Sequence, residues 1–429
     1  MQATKQPLPS RSTKKGKKST RLDIIDYLKG IAVIHFTFGH LVLYWSFESN
    51  WIAIPGIIAL VMDWAGPSLF ISFTVIGTMI SIRKKQLQHR TKGMFKNALI
   101  KFVYLFIVGE VMNIIIDVLN TVSTGNSMGL WHILGMNMIT AVAFAQLFVY
   151  LLVKLTRIQK LVLLLGLIVI YPVLLDYCLR GMNFGWGEFS DFNANDMTSL
   201  PYILYYLLFH LEAMAPTMAW VITTLTIVLV FDGFVKFYVI TNQKEISVRK
   251  MMLLKSLYAR KLFGLGILLL IFSVVAGGYL ITPGIAFSKQ LYLFLIEPGI
   301  WNFWGIEGLP LIWIRHMPHY LLFNAAILVL VFTSLFFLHD IKNVNLPFKK
   351  YLSTFGIYSF SIFVYEHMFA LIPIELYDIV SFSIVFLPLI FGLIIIVRKW
   401  HEKYKGIGSL EWGLGIWVTK VQTLQMGRP

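Results

Sequence analysis

Apolar runs about as long as a bilayer is thick recur along the whole chain, and no other feature restricts its folds so severely. They fall at roughly 24–45, 54–82, 98–119, 130–153, 160–179, 201–232, 262–281, 320–338, 353–373 and 379–397. As a helix, the first run would extend about 33 Å, enough to cross a hydrocarbon core of about 30 Å. The sixth exceeds one crossing, so it is tilted, broken near Pro216, or includes an interfacial piece. Hydrophobic residues make up 57% of the chain and charged residues 14%. A soluble domain carries about 25% charged residues, and one soluble core could not absorb this apolar load. The expected class is all-α: a polytopic helical membrane protein of about ten transmembrane helices.

The formal net charge of +16 invites a nucleic-acid partner, but its distribution answers differently. With the N-terminus inside, the outer loops 46–53, 120–129, 180–200, 282–319 and 374–378 hold only Arg180, Lys289 and Arg315 of the 37 basic residues. Dense basic stretches, RKKQLQHRTKGMFK at 83–96, KEISVRKMMLLKSLYARK at 244–261 and RKWHEKYK at 398–405, all fall on the other side. Such asymmetry follows the positive-inside rule, and it predicts both termini cytoplasmic and lipid contact rather than nucleic-acid binding. Residues 1–20 read as a disordered basic cytoplasmic tail, 21–405 as the transmembrane domain and 406–429 as a cytoplasmic C-terminal tail. The single cysteine, Cys178, excludes an intramolecular disulfide framework and the usual thiolate zinc sites.

The first run also carries chemistry. It holds His35 and His40, with Arg21, Asp23, Asp26 and Lys29 around its cytoplasmic end. An ionisable group within a span is costly unless it faces the bundle interior or water, so these residues mark a polar site inside the membrane domain. Further histidines, His132, His210, His316, His319 and His367, collect toward the outer ends of spans, accompanied by Asp63, Glu110, Asp117, Glu212 and Glu366. A neutral histidine abstracts a proton near neutral pH, and a carboxylate on its second nitrogen fixes its tautomer. His40 with Asp63 is the preferred pair. Glu366 and His367 are adjacent on one helix and so do not share a face, which leaves their use dependent on other helices. No HExxH, CxxC, Walker A or GxGxxG pattern occurs, and no metal is expected; His316 and His319, three apart, are the one candidate ligand pair. Lys29 and Lys101 stand out among the inner cations, because they lie within predicted helices.

The start RLDIIDYLKGIAVIHFTFGH resembles the opening of the transmembrane acyltransferase superfamily, an Arg followed by Leu-Asp-x-x-Arg-Gly-x-Ala. That group contains the acyltransferase-three enzymes, the heparan-alpha-glucosaminide N-acetyltransferases and the YeiB-like proteins. Asp26, Gly30 and Ala32 match, and Lys29 replaces the usual arginine. His40 lies ten residues beyond Gly30, where the acyltransferase-three branch has a histidine. The heparan-type branch has its histidine further on, yet none occurs between Trp45 and Trp64. Other stretches lean toward the heparan and YeiB types: DWAGP at 63–67 with FISFTVIG, FIVGEVMNIIIDV, GLWHILGMNMITAV, FGIYSFSIFVYEHMF and GIGSLEW at 406–412.

The resemblance implies an acyl-CoA-dependent membrane acyltransferase, most simply an acetyltransferase. It would move the acyl group from cytoplasmic acetyl-CoA to a hydroxyl or amine of an extracytoplasmic glycan or glycolipid. His40, Asp63 and His132 are its candidate catalytic residues, with Asn113 and Asn137 as further candidate donors to the developing oxyanion. Arg21, Lys29, Arg83 and Lys101 are the candidate groups for the coenzyme phosphates. Expected partners are membrane lipids and the glycan acceptor, with a homo-oligomer left open; the location is the plasma membrane for a prokaryotic chain. A transporter or lipid flippase without acyl transfer is the alternative, since it too explains buried charge.

Overall fold

A computed structural model describes residues 22–45, 65–91, 93–124, 137–181, 199–209, 217–243, 247–278, 280–281, 309–310, 317–372 and 379–426. Among the described residues the chain is helical apart from one two-residue antiparallel pairing, β1 (Leu280–Ile281) with β2 (Leu309–Pro310). The helices are α1 (Asp23–Trp45), α2 (Pro67–Leu87), α3 (Met94–Thr124), α4 (Met138–Leu152), α5 (Arg157–Gly181), α6 (Leu200–Phe209), α7 (Thr217–Gln243) and α8 (Val248–Gly277). They continue as α9 (Pro318–Phe336), α10 (Lys349–Ile357), α11 (Ser359–Glu366), α12 (Ile379–Tyr404) and α13 (Leu410–Met426). A π-helical turn, Phe337–Ile341, extends α9, and a 3-10 turn, His367–Leu371, extends α11.

Six helical segments among the described residues are long and apolar enough to cross a membrane: Met94–Val118, Arg157–Cys178, Thr217–Thr241, Arg249–Gly277, Pro318–Ile341 and Val380–Tyr404. They make the chain an integral membrane protein. The other four runs read from the sequence fall outside this set of six among the described residues. α1 is an unbroken helix with Asp23, Asp26 and Lys29 in its first two turns, α2 begins at Pro67, α4 is short, and the run 353–373 is broken into α10, α11 and a 3-10 turn.

Burial separates the long helices into an inner and an outer set. α7 is buried along most of its length and packs against α2, α4 and α9. α3, α5, α8 and α12 bury little of theirs, and leave Val169, Leu268, Val275 and Ile396 exposed. Apolar side chains pointing outward are the expected surface in lipid, where exposure of a leucine costs nothing. The centre is aromatic: Phe332 of α9 packs on Phe73 of α2 and on Phe231 and Phe234 of α7, with ring centroids 5.2–6.0 Å apart.

One crossing sets the position of everything that follows. α1 and α10 meet at Gly30 and Gly356. A Cβ on Gly30 would overlap the carbonyl oxygen of Leu352, and one on Gly356 would overlap that of Asp26 and lie 2.7 Å from the Gly30 nitrogen. Only glycine allows backbones this close. Beyond the crossing the two strands of helix run parallel, with Trp45 Nε1 donating to the Phe369 carbonyl at 3.1 Å. At the opposite end Lys349 pairs with Asp23 at 3.1 Å.

Candidate active site: a buried histidine–glutamate pair

His40 and Glu366 meet because each stands ten residues beyond its glycine at the α1–α10 crossing, Gly30 for one and Gly356 for the other. Ten residues of helix rise about 15 Å on both sides, so parallel helices deliver the two side chains to the same level. His40 Nδ1 lies 2.6 Å from Glu366 Oε1. The Thr37 hydroxyl, one turn before His40, donates to Glu366 Oε2 and also lies 2.9 Å from the Val33 carbonyl. With the proton on His40 Nδ1, both oxygens of Glu366 face donors, as a carboxylate requires. With Nδ1–H donating to that carboxylate, Nε2 of His40 carries the lone pair. This tautomer is assigned from the hydrogen-bond pattern.

His367 joins from the next position. Its Nδ1 donates to the Phe363 carbonyl at 2.8 Å, and its ring centroid is 4.7 Å from that of His40. The sequence places Glu366 and His367 on different helical faces, yet both stand beside His40. Phe36, Phe70 and Phe363 close around the pair, with Phe36 stacked 6.0 Å from His40. All three polar residues are buried. Such walls exclude water and strengthen any electrostatic contact made inside them.

One ligand atom from each of His40, Glu366 and His367 can be chosen so that all lie within 4.8 Å of one another, close enough to hold a cation. The direct 2.6 Å hydrogen bond, however, occupies the space a metal would need between His40 and Glu366. The arrangement is that of an oriented base.

The other sequence-derived candidates distribute differently. Arg21, Asp63 and His132 lie outside the described residues, as does His316 of the candidate metal pair. The carboxylate that the described structure brings to His40 is Glu366. Asn137 is a helix cap: its Oδ1 accepts from the Ile139 and Thr140 amides, and its Nδ2 donates to Asn113 Oδ1 and the Gly109 carbonyl. Asn113 and Asn137 are thus bonded to each other and to backbone, locking α3 to α4. Lys29 and Lys101 are half-buried within α1 and α3. Arg83 pairs with Asp232 of α7 at 2.8 Å.

Two stretches singled out in the sequence prove to be one device. Glu411, at the start of α13, accepts from the amides of Phe360 (2.9 Å) and Ser361 (3.4 Å) and from the Ser361 hydroxyl. It thereby caps the N-terminus of α11, the helix that carries Glu366. Tyr358 at the α10–α11 break bonds His401 Nδ1 at 2.6 Å. Thr37 and Glu411 were not legible as site residues: a threonine in a helix and a glutamate in a tail carry no motif of their own.

Comparison of the sequence with protein-family models and with curated proteins gives no match.

Proposed function

We propose that this protein is a membrane acyltransferase, most simply an acetyltransferase, with His40 as its general base. The observation that carries this reading is the hydrogen bond from His40 to Glu366, buried in aromatic walls and anchored by Thr37. Resemblance of residues 21–40 to the transmembrane acyltransferase superfamily supplies the reaction class. Ten transmembrane helices with both termini in the cytoplasm complete the proposal. This topology puts His40 toward the outer side and the basic loops inside.

Acetyl-CoA would supply an activated acyl thioester. The chain's own groups would do the rest. Nε2 of His40 would take the proton from an acceptor hydroxyl or amine as it attacks the carbonyl. Glu366 would hold the ring in that tautomer and stabilise the imidazolium that forms. As the carbon–sulfur bond breaks, His40 would return the proton to the leaving thiolate. His367 stands beside this path. Inner cations, with Arg21, Lys29, Arg83 and Lys101 as candidates, suit the coenzyme phosphates, because phosphate binding needs fixed cationic donors. The acceptor in this proposal is a glycan or glycolipid hydroxyl or amine on the outer side.

A carrier is the second reading, favoured by the same buried pair, since intramembrane His–Glu pairs also serve as proton relays. Calorimetry with acetyl-CoA on purified protein separates the two. Binding that weakens when Lys29, Lys101 and Arg83 are neutralised supports the enzyme; absence of donor binding overturns it.

A further inference from the structure

About 20 Å along α2 from Phe70, the ring that helps wall in the His40 site, a second polar cluster surrounds one carboxylate. Asp232 of α7 is buried. Arg83 Nη2 reaches its Oδ1 at 2.8 Å, Lys236 Nζ its Oδ2 at 2.9 Å, and Lys160 Nζ stands 3.8 Å from Oδ2. Arg157 completes the group: its Nη2 lies 3.0 Å from where a Cβ on Gly233 would sit, so the guanidinium rests over the α7 backbone beside Asp232. Three cations thus face one carboxylate, with a fourth, Arg157, beside them.

The local sequence explains how they gather. Thr156 and Gln159 form a capping box at the start of α5, each side chain accepting from the other's amide at 3.2 and 2.9 Å. The box places Arg157 and Lys160 in the first helical turn, where the helix dipole adds further positive potential. Gly233 leaves space for Arg157.

Asp232 satisfies only part of this charge. Its two oxygens are taken by Arg83 Nη2 and Lys236. Lys160 has only 1% of its side chain exposed, and its separation from Asp232 is beyond hydrogen-bonding distance. Arg83 Nη1 donates to Gln86 at 2.9 Å, but its buried Nε has no hydrogen-bond partner among the described residues. A buried guanidinium N–H left without an acceptor is costly, and the excess of positive charge over the one carboxylate points to a missing anion.

We infer that Arg83, Arg157, Lys160 and Lys236 form, around Asp232, a binding site for a phosphate group. A phosphate offers several acceptor oxygens and up to two negative charges, which match the free Nε of Arg83 and the positive charge of Lys160 and Arg157 beside it. Of its members only Arg83 is also a candidate for the coenzyme phosphates of the proposed function, and the site requires nothing of His40. Its phosphate comes either from a small soluble ester or from an anionic lipid headgroup, since the cluster lies at the C-terminal end of α2 and the N-terminal end of α5, against the second half of α7.

Thermal unfolding of the purified full-length chain tests this in two arms. One titrates inorganic phosphate in neutral detergent at constant ionic strength set with chloride. The other compares nanodiscs containing phosphatidic acid with purely zwitterionic ones. The expected result is a rise in melting temperature in at least one arm; a response to phosphate identifies a soluble ester, and a response to phosphatidic acid alone identifies the lipid. Lys160→Met should fold at least as stably without ligand, because it removes a buried charge, while weakening the protecting anion by about tenfold or more. Arg157→Gln, at an exposed position, should weaken it in the same direction and guards against a folding defect in the first variant. No protection in either arm overturns the site. So does undiminished protection in both variants, and so does an Arg157→Gln protein that binds like the parent where Lys160→Met does not fold.

Discussion

His40 can act as a base only while its second nitrogen is held, and at the scale of the residue Glu366 is what holds it. Glu366→Gln keeps the shape but can present its amide to Nδ1, favouring the wrong tautomer. Its expected effect is a fall in transfer rate of about 100-fold or more, with donor affinity preserved, read as a loss in kcat without a matching rise in the donor KM. Thr37→Val removes one donor to the carboxylate and nothing else in the site. A smaller loss, on the order of tenfold, is expected from the same assay, consistent with about 1.5–3 kcal/mol for a hydrogen bond to a charged group. His40 itself was legible in the sequence from its place within an apolar run and ten residues after Gly30. Its partner was not: Glu366 is 326 positions away in the chain, and only the meeting of α1 with α11 reveals the pair. Asp63, favoured by its place in the next run, lies outside the described residues.

At the scale of the element, the α1–α10 crossing and the α13 cap fix where the pair stands. Replacing Gly356 by Val would drive a branched side chain into the Asp26 and Gly30 backbone. Overpacking of this kind costs about 1–3 kcal/mol where neighbours can yield, and here the neighbour is backbone. A lower melting temperature and lost transfer are expected together, whereas Gly392→Ala, with open space around it, should leave both unchanged. Glu411 gives a pH-dependent test. Burial pushes its carboxyl above the ordinary value, with Ser361 and the α11 amides pulling the other way. A carboxyl whose folded pKa is raised lends most stability below its unfolded value, about 4.3, and loses that contribution as pH rises through the folded value. The melting temperature of the parent, relative to Glu411→Gln, should therefore decline as pH rises across this window; a constant difference would contradict the sign. FGIYSFSIFVYEHMF and GIGSLEW could each be picked out as motifs, but sequence spacing says nothing of Glu411 bonding to Ser361 fifty residues away. Apolar length located the run 353–373 without showing its break at Tyr358, where His401 and Glu411 make contacts.

At the scale of the whole molecule, composition alone makes the chain a helical membrane protein, because apolar runs of this length have few other solutions. What composition could not supply is the division between the buried α7 and the lipid-facing α3, α5, α8 and α12, since each contains an apolar stretch long enough to span. The proposed topology is tested by single cysteines introduced within 184–196 and 244–256 of a Cys178→Ser background. An impermeant reagent added outside intact cells should label the first and spare the second; the reverse pattern would put His40 on the inner side. Acyl transfer itself is tested most directly by single-turnover reaction of purified protein with acetyl-CoA and an outer-side glycan extract, with donor binding followed in parallel. His40→Ala should bind the donor as the parent does and transfer about 100-fold more slowly or worse. Near-parental turnover in His40→Ala, with donor binding unchanged, would contradict the assignment of His40 as the base.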